Sequence, residues 1–196
     1  MGLSMKGILD VLFVRGRHVC PWWLCRSFDN PLRRLFQDPE KILEPHAKPG
    51  FTVIDVGPGM GYFTIPLLRL VGSGGKVVAL DIQKRMLDAL RQRAERAGLG
   101  GNLITHLGKP GDPAMPNDAD FILIFWMIHE VPDQQAFLSD LKDCLRPGGR
   151  MLIVEPRLHV RAEKFESTLD AAERVGLTLV DRPGISLSRS ALFTKD

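Results

Sequence analysis

A glycine-rich segment at residues 55–61 is the part of the sequence best suited to bind a ligand. It reads Asp-Val-Gly-Pro-Gly-Met-Gly and lies between an apolar run and a helix predicted over residues 62–71. Glycine lets the backbone approach a ligand closely, and the N–H groups at the start of a helix attract an anionic part of it. The dinucleotide fingerprint needs its third glycine where Tyr62 stands, and a P-loop ends in Gly-Lys-Ser or Gly-Lys-Thr. The segment therefore predicts a nucleotide-like cofactor of another kind.

Asp81 is a second acidic residue placed to bind such a cofactor. It ends an apolar run twenty residues after Gly61. A carboxylate at that place can accept hydrogen bonds from both hydroxyls of a ribose. The same carboxylate could instead cap the helix that begins near Gln83. The sequence leaves both interpretations open.

His129 and Glu130 are the candidates for catalysis. They follow the apolar run of residues 120–127, and ligands of open α/β sheets bind beyond the carboxyl ends of the strands. An imidazole titrates near neutral pH, which makes His129 the better candidate for a general base. Alternatively, the two residues hold their loop through hydrogen bonds and cap the following helix. Glu155 is expected to end the next strand rather than to touch substrate.

An α/β fold has to position these residues, because short apolar runs alternate with helical patterns from about residue 50 onward. Apolar residues at helical spacing predict three surface helices over residues 85–97, 133–145 and 163–175. Asp133 is expected to cap the second of them. Glycine-rich turns precede several strands, among them Pro147-Gly148-Gly149. The seven predicted strands cover residues 51–56, 76–81, 102–107, 120–127, 150–155, 177–183 and 187–194.

The first fifty residues hold no comparable strand and predict a small helical cap. Asp29-Asn30-Pro31 and Asp38-Pro39 each place proline after a capping residue, which is typical of a helix start. We expect residues 1–50 to form a cap over the open edge of the cofactor cleft, and residues 51–196 to form the cofactor-binding domain.

The pattern Asp-x-Gly-x-Gly-x-Gly resembles the first motif of the class I S-adenosylmethionine (SAM)-dependent methyltransferases. Residues 120–132, 145–153 and 190–195 are similar to later strand segments of that family, so the resemblance extends from residue 51 to about 193. The nearest branch is that of the small type 11-like, ubiquinone/menaquinone-methyltransferase-like enzymes. The resemblance implies a Rossmann-like, seven-stranded doubly wound sheet whose last strand is antiparallel.

The resemblance also implies SAM as the cofactor and assigns residues to it. In the family, the acidic residue that follows the third strand meets adenine within a Gly-Asp pair. Here Leu107-Gly108-Lys109-Pro110-Gly111-Asp112 interposes other residues, so Asp112 or a backbone group would make that contact. No metal ligand is expected, because the spacing of Cys20 and Cys25 is unlike that of zinc sites. The expected cofactor contacts are Asp55, Gly57, Gly59, Gly61, Tyr62, Asp81, Ile82 and Asp112.

Methyl transfer from a sulfonium is an in-line displacement, so holding the acceptor close and aligned supplies most of the acceleration. A small or lipophilic methyl acceptor is expected, since the chain has no large recognition domain and no Asn-Pro-Pro-Tyr motif. A metalloid acceptor bound by cysteine is a less favoured possibility. The alternatives are an RNA methyltransferase, and a SAM- or NAD-binding protein without transferase activity.

The composition constrains partners and location. A formal charge of +3, with 26 basic against 23 acidic residues, does not favour nucleic acid. Three cysteines, an odd number, and the lack of a convincing signal peptide predict a cytoplasmic protein. Trp22 and Trp23 could pack on the sheet, line the acceptor site or contact a membrane surface together with nearby basic residues. Those basic residues are Lys6, Arg15, Arg17 and Arg26. The oligomeric state stays open.

Overall fold

A computed structural model of the protein describes residues 31–108 and 115–196, and its centre is a seven-stranded sheet. The strand order is β3-β2-β1-β4-β5-β7-β6. Strands β1 to β5 pair in parallel, whereas β7 runs antiparallel to both of its neighbours. The predicted Rossmann-like fold with an antiparallel last strand is confirmed. The strands are β1 Thr52–Val56, β2 Lys76–Asp81, β3 Leu103–Leu107, β4 Ala119–Phe125, β5 Leu145–Pro156, β6 Leu177–Asp181 and β7 Ser188–Lys195.

Helices cover both faces of the sheet. On one face α1, α2 and α3 pack, and on the other α4 and α5. Because both faces are covered, β4 is apolar from Phe121 to Phe125: Phe121 and Leu123 belong to one core, and Ile122 and Ile124 to the other. The helices are α1 Pro39–Leu43, α2 Thr64–Val71, α3 Lys84–Arg96, α4 Gln134–Cys144 and α5 Ala162–Arg174, with 3₁₀ turns at Pro31–Leu35, Gly100–Asn102 and Ile128–Glu130. No helix in the described ranges is long and apolar enough to cross a membrane.

The three predicted surface helices are confirmed within one residue at each end. Asp133 caps α4 as expected, because its carboxylate accepts a hydrogen bond from the backbone N–H of Ala136 at 3.0 Å. The turn predicted at Pro147-Gly148-Gly149 is wrong. These residues lie inside β5, where the pairing with β4 shifts from Ala119–Leu145 to Phe121–Arg150. The strand bulges there and resumes its pairing, so glycine marks a bulge in a strand rather than its beginning.

The described part of the N-terminal region begins with a 3₁₀ turn, Pro31–Leu35, in place of the first proline-led helix. The second prediction is confirmed, since Asp38 accepts a hydrogen bond from the N–H of Glu40 at the start of α1. Leu43 and Ala47 are buried in the core beside α2. Residues 1–30 lie outside the described residues. They include Asp29 and Asn30 of the first predicted helix start, the basic residues named above, and Cys20, Trp22, Trp23 and Cys25.

Candidate active site

The glycine-rich loop turns the chain from β1 into α2 and has two packed positions and one open position. All three glycines have positive φ: 67° at Gly57, 55° at Gly59 and 90° at Gly61. A Cβ on Gly57 would lie 2.9 Å from Cγ of Met127, and one on Gly61 would collide with the Leu90 side chain. A Cβ on Gly59 would have nothing within 4 Å. The loop is therefore anchored at both ends, and its middle faces open space that can hold a ligand.

Two carboxylates lie at the ends of β1 and β2 near this loop, Asp55 buried and Asp81 half-buried. Asp55 is 2% exposed and accepts a hydrogen bond of 2.6 Å from the Thr64 hydroxyl. Burial raises the pKa of Asp55 to about 7, and the nearby charge of Asp81 adds to this shift. Burial likewise raises the pKa of Asp81 to about 6, and its Oδ1 accepts a hydrogen bond of 2.8 Å from Gln83 N. Asp81 therefore bonds the backbone where α3 begins, as one of its two interpretations predicted, and this bond uses Oδ1. Both sites favour a ligand that brings positive charge or hydrogen-bond donors.

Apolar side chains continue the same edge of the sheet next to Asp81. Ile82 is 54% exposed and Leu107, at the end of the neighbouring strand β3, is 52% exposed. An apolar ring placed against these side chains would remove hydrophobic surface from water. Asp112 belongs to the segment 109–114, which lies outside the described residues, so its predicted contact with adenine stays a prediction.

The catalytic candidate His129 is held by Glu155. The imidazole Nδ1 lies 2.5 Å from Oε2 of Glu155, and Oε1 of the same carboxylate accepts a hydrogen bond from Ile128 N at 3.1 Å. Glu155 is 1% exposed in β5, while His129 follows the neighbouring strand β4. A carboxylate at Nδ1 favours the proton there, which leaves Nε2 as the acceptor. Glu155 thus does more than end a strand, the only role expected for it.

His129 lines a cavity of about 330 Å³ that is rich in basic side chains. Its ring meets the ring of His159 edge to face, with 4.9 Å between the centroids. Glu130 belongs to the same 3₁₀ turn, but it is not among the lining residues. Since Asp133 caps α4, the expectation that His129 and Glu130 cap that helix is wrong, whereas the alternative that they hold their loop through hydrogen bonds stays open. The lining residues are His129, His159, Val160, Arg161 and Lys164.

An aromatic cluster around Arg33 connects the cofactor loop to the end of β4. The guanidinium carbon lies 4.5 Å from the ring centroids of both Tyr62 and Trp126. This distance allows cation–π attraction to both rings. Trp126 has φ 59°, an uncommon value for a residue other than glycine, and its indole N–H donates to Ser188 Oγ at 3.0 Å. Strained backbone of this kind clusters at functional sites.

Gln37 connects this aromatic cluster to the start of β7. It is 1% exposed, and its carbonyl oxygen accepts a hydrogen bond of 2.8 Å from the Tyr62 hydroxyl. Its side-chain amide donates to Ser186 O and to Ser188 Oγ. Tyr62, predicted as a cofactor contact, is therefore also a structural link. Sequence patterns missed Arg33 and Gln37, because their partners are far apart in the chain.

No group of three or more His, Cys, Asp or Glu side chains within residues 31–108 and 115–196 could hold a metal ion. Cys144, placed at the end of α4 as predicted, is buried as a free thiol, and burial raises its pKa to about 11. A thiol of this kind is protonated and shielded at neutral pH, so it is not a candidate nucleophile.

Comparison with known proteins identifies the family. Residues 47–180 match the family model described as "Methyltransferase domain". The ubiquinone/menaquinone biosynthesis C-methyltransferase UbiE of Vibrio vulnificus is 34% identical over 110 residues, which cover 56% of this chain and 42% of that protein. The corresponding protein of Vibrio cholerae is 33% identical over 112 residues. The chain spans less than half the length of these curated relatives.

Solved structures agree with this result. A SAM-dependent methyltransferase from Aquifex aeolicus matches with a TM-score of 0.81 and 26% identity, over 91% of this chain and all of that one. A TehB-like SAM-dependent methyltransferase from Corynebacterium glutamicum has the same fold, with a TM-score of 0.68 and 21% identity over 88% of this chain and 98% of that one. The chain belongs to the methyltransferase domain family of class I SAM-dependent enzymes, and it is similar to the UbiE C-methyltransferases over part of their length.

The residues at the carboxyl edge of β1 to β3 fit the cofactor of this family. Asp55 is buried against the Thr64 hydroxyl and burial raises its pKa to about 7, so an ammonium group would compensate the charge of its carboxylate. Asp81 suits a pair of ribose hydroxyls, and the exposed Ile82 suits an adenine ring. The open side of Gly59 leaves room for the chain that connects these groups. SAM is the cofactor of the family to which this chain belongs.

Proposed function

We propose that this methyltransferase modifies a small or lipophilic acceptor that loses a proton, with His129 as the general base. The observation that carries the proposal is the His129–Glu155 pair, whose imidazole lines a cavity at the carboxyl edge of β4 and β5. That edge adjoins the glycine loop, because β1 and β4 are neighbours in the sheet. A base is useful only if the acceptor atom carries a proton, as a hydroxyl, a thiol or an acidic carbon does.

In this mechanism the residues mainly bind, orient and move one proton. SAM supplies an electrophilic methyl group on its sulfonium. When SAM is bound, its methyl group would pass to the acceptor atom as the carbon–sulfur bond breaks, and Nε2 of His129 would take the proton that the acceptor loses. Glu155 keeps Nε2 directed at the cavity and stabilises the imidazolium that results. Tight positioning supplies the larger part of the rate enhancement.

We propose for the residues of the cofactor side the binding roles that the sequence predicts. Asp55 is proposed to meet the ammonium group, Asp81 the ribose hydroxyls, and Ile82 the adenine face. Gly57, Gly59 and Gly61 give the loop the shape that admits the methionine end. Tyr62 closes the loop against Gln37. The shifted pKa values of the two carboxylates support these roles, since an unmet negative charge is costly when buried.

The relatives support a lipophilic acceptor. Their names describe C-methyltransferases of ubiquinone and menaquinone biosynthesis. The aromatic side chains of Tyr62 and Trp126, near the ends of the glycine loop and of β4, suit a flat ring as well. An RNA acceptor remains the rival proposal.

The decisive experiment is a SAM-consumption screen with quinol, phenol, thiol, amine, metalloid and RNA acceptors. Turnover of a small hydroxylic, thiol or carbon acceptor supports the proposal, whereas methylation of RNA alone contradicts it. With the active acceptor, His129→Ala should lower kcat by roughly 100-fold or more while SAM affinity stays within about twofold. His106→Ala, on the outer strand β3, is the matched control and should retain kcat. Equal losses in both variants would remove His129 from the mechanism.

A further inference from the structure

Four large apolar side chains are exposed at the edge of the sheet where the acceptor cavity opens. Leu158 is 96% exposed, Leu35 76%, Phe36 60% and Leu187 53%. We call these four residues the apolar rim. Single exposed leucines are common, but a group of them on one surface marks an interaction site.

Hydrogen bonds show that the rim is one surface although its residues are distant in sequence. Gln37, next to Phe36, donates from its side chain to Ser186 O at 2.9 Å, directly before Leu187. The N–H of Arg157 donates to Leu187 O at 2.9 Å, directly before Leu158. The three loops are thus tied together in a row. The loop of Leu158 follows β5 and that of Leu187 precedes β7, whose antiparallel direction brings its first residue to the same edge.

Basic side chains border the apolar rim. Arg157, Arg161 and Lys164 are exposed in the loop and first turn that follow β5, with Glu163 as the acidic residue between them. The Arg157 guanidinium donates to Ser188 O, and that of Arg189 to the carbonyl oxygens of Arg157 and Val160. Carbonyl oxygens are neutral, so these contacts orient the cations without cancelling their charge.

A pair on the same side of the sheet shows the contrast. Arg182 makes two hydrogen bonds to the carboxylate of Glu166, at 2.6 and 2.8 Å, so its charge is compensated. The cations beside the apolar rim are arranged differently: Arg157 donates to a backbone carbonyl oxygen, and Arg161 and Lys164 are exposed to solvent. Apolar side chains bordered by uncompensated cations are complementary to an interface that has hydrocarbon beneath negative charge.

We propose that the apolar rim docks on an anionic lipid surface. Leu35, Phe36, Leu158 and Leu187 enter the boundary between headgroups and acyl chains, while Arg157, Arg161 and Lys164 meet lipid phosphates. This geometry turns the mouth of the His129 cavity toward the membrane, because Arg161 and Lys164 also line that cavity. The docking rests on the surface alone and holds whatever the acceptor proves to be.

Cosedimentation of the full chain with vesicles tests the proposal without any turnover. We expect binding to vesicles of phosphatidylcholine and phosphatidylglycerol, and much weaker binding to phosphatidylcholine alone. The double variant Phe36→Ser/Leu158→Ser should lower the partition coefficient by about tenfold or more, because two apolar side chains no longer insert. Ile104→Ser is the matched control, since Ile104 is 49% exposed near the amino end of β3, away from this edge, and should bind as the wild type does.

Charge variants separate the electrostatic part of the binding. Lys164→Gln and Arg161→Gln should each weaken binding to phosphatidylglycerol vesicles by about fivefold, whereas Lys48→Gln, before β1 at the opposite edge, should not. The proposal would be overturned if the rim variants bound vesicles as strongly as the wild type does. It would also be overturned if only the double variant Trp22→Ala/Trp23→Ala abolished binding. The absence of vesicle binding together with a dimer that the rim variants dissociate would overturn it as well, since the rim would then join two copies of the chain.

Discussion

The two halves of the active site differ in how the chain builds them and in the sign of their charge. The cofactor half comes from one strand-loop-helix unit, with Asp55 and the three glycines within seven residues of each other. The acceptor half joins His129 to Glu155, which is 26 residues away on the neighbouring strand. The first half holds carboxylates with raised pKa values, and the second is lined by basic side chains.

This difference suits the two ligands of a methyl transfer. SAM carries positive charge on sulfur and on its amino group, and in the proposed function carboxylates would bind it. An acceptor that gives up a proton becomes more negative in the transition state, and it meets imidazole and cations. The cofactor half is therefore expected to govern affinity for SAM, and the acceptor half to govern the rate. The following variants test whether the halves can be separated in this way.

The largest effect is expected in the loop of the cofactor half. In Gly61→Ala the new methyl group collides with Leu90 at φ 90°, so the free energy of unfolding should fall by about 3 kcal/mol. Gly59→Ala meets no atom within 4 Å and should cost only about 1 kcal/mol in stability. Its methyl group points into the open side of the loop, so SAM affinity should fall instead. Urea denaturation and calorimetry distinguish the two, and equal stability losses would refute this assignment.

A somewhat smaller effect is expected at the second half. Glu155→Gln keeps the size of the side chain but removes the negative charge that orients and stabilises the His129 imidazole. We expect kcat to fall by roughly 100-fold, with little change in the calorimetric affinity for SAM. Glu163→Gln, an exposed substitution on α5, is the control and should retain kcat. A loss of SAM affinity in Glu155→Gln would show that the two halves are not separable.

The smallest effect concerns pH. The pKa of Asp55 is about 7 in the folded protein, above the usual 3.8, so Asp55 favours the fold below pH 3.8 and this contribution is lost as the pH rises through 7. Binding of a cationic group reverses that preference, because it requires the ionised carboxylate. SAM affinity should therefore be about tenfold stronger near pH 8 than near pH 6. Calorimetry at both pH values measures this, and Asp55→Asn should flatten the dependence, whereas Asp88→Asn, exposed on α3, should keep it.

The cofactor half could be predicted from the sequence because its residues are consecutive. A strand, alternating glycines and a helix fix Asp55 and Gly57 through the local chain path alone, and strand β2 fixes Asp81. The acceptor half could be predicted only as a region, after β4. Which carboxylate holds His129 depends on the neighbouring strand and its register, and Arg33 reaches Trp126 only through the complete fold. The error at Pro147-Gly148-Gly149 has a similar origin, since glycine serves turns and bulges alike.

Ser188, the first residue of β7, has a consequence for the order in which the protein matures. Its hydroxyl meets both Gln37, 151 residues earlier, and the indole of Trp126. The chain is synthesised from its N-terminus, so Gln37 can bond Ser188 only after the 151 residues that follow Gln37 have been made. Such distant contacts form late, because closing a long loop is entropically costly. The glycine loop can form early, whereas the contacts of Gln37 and Trp126 with Ser188 form only when β7 enters the sheet.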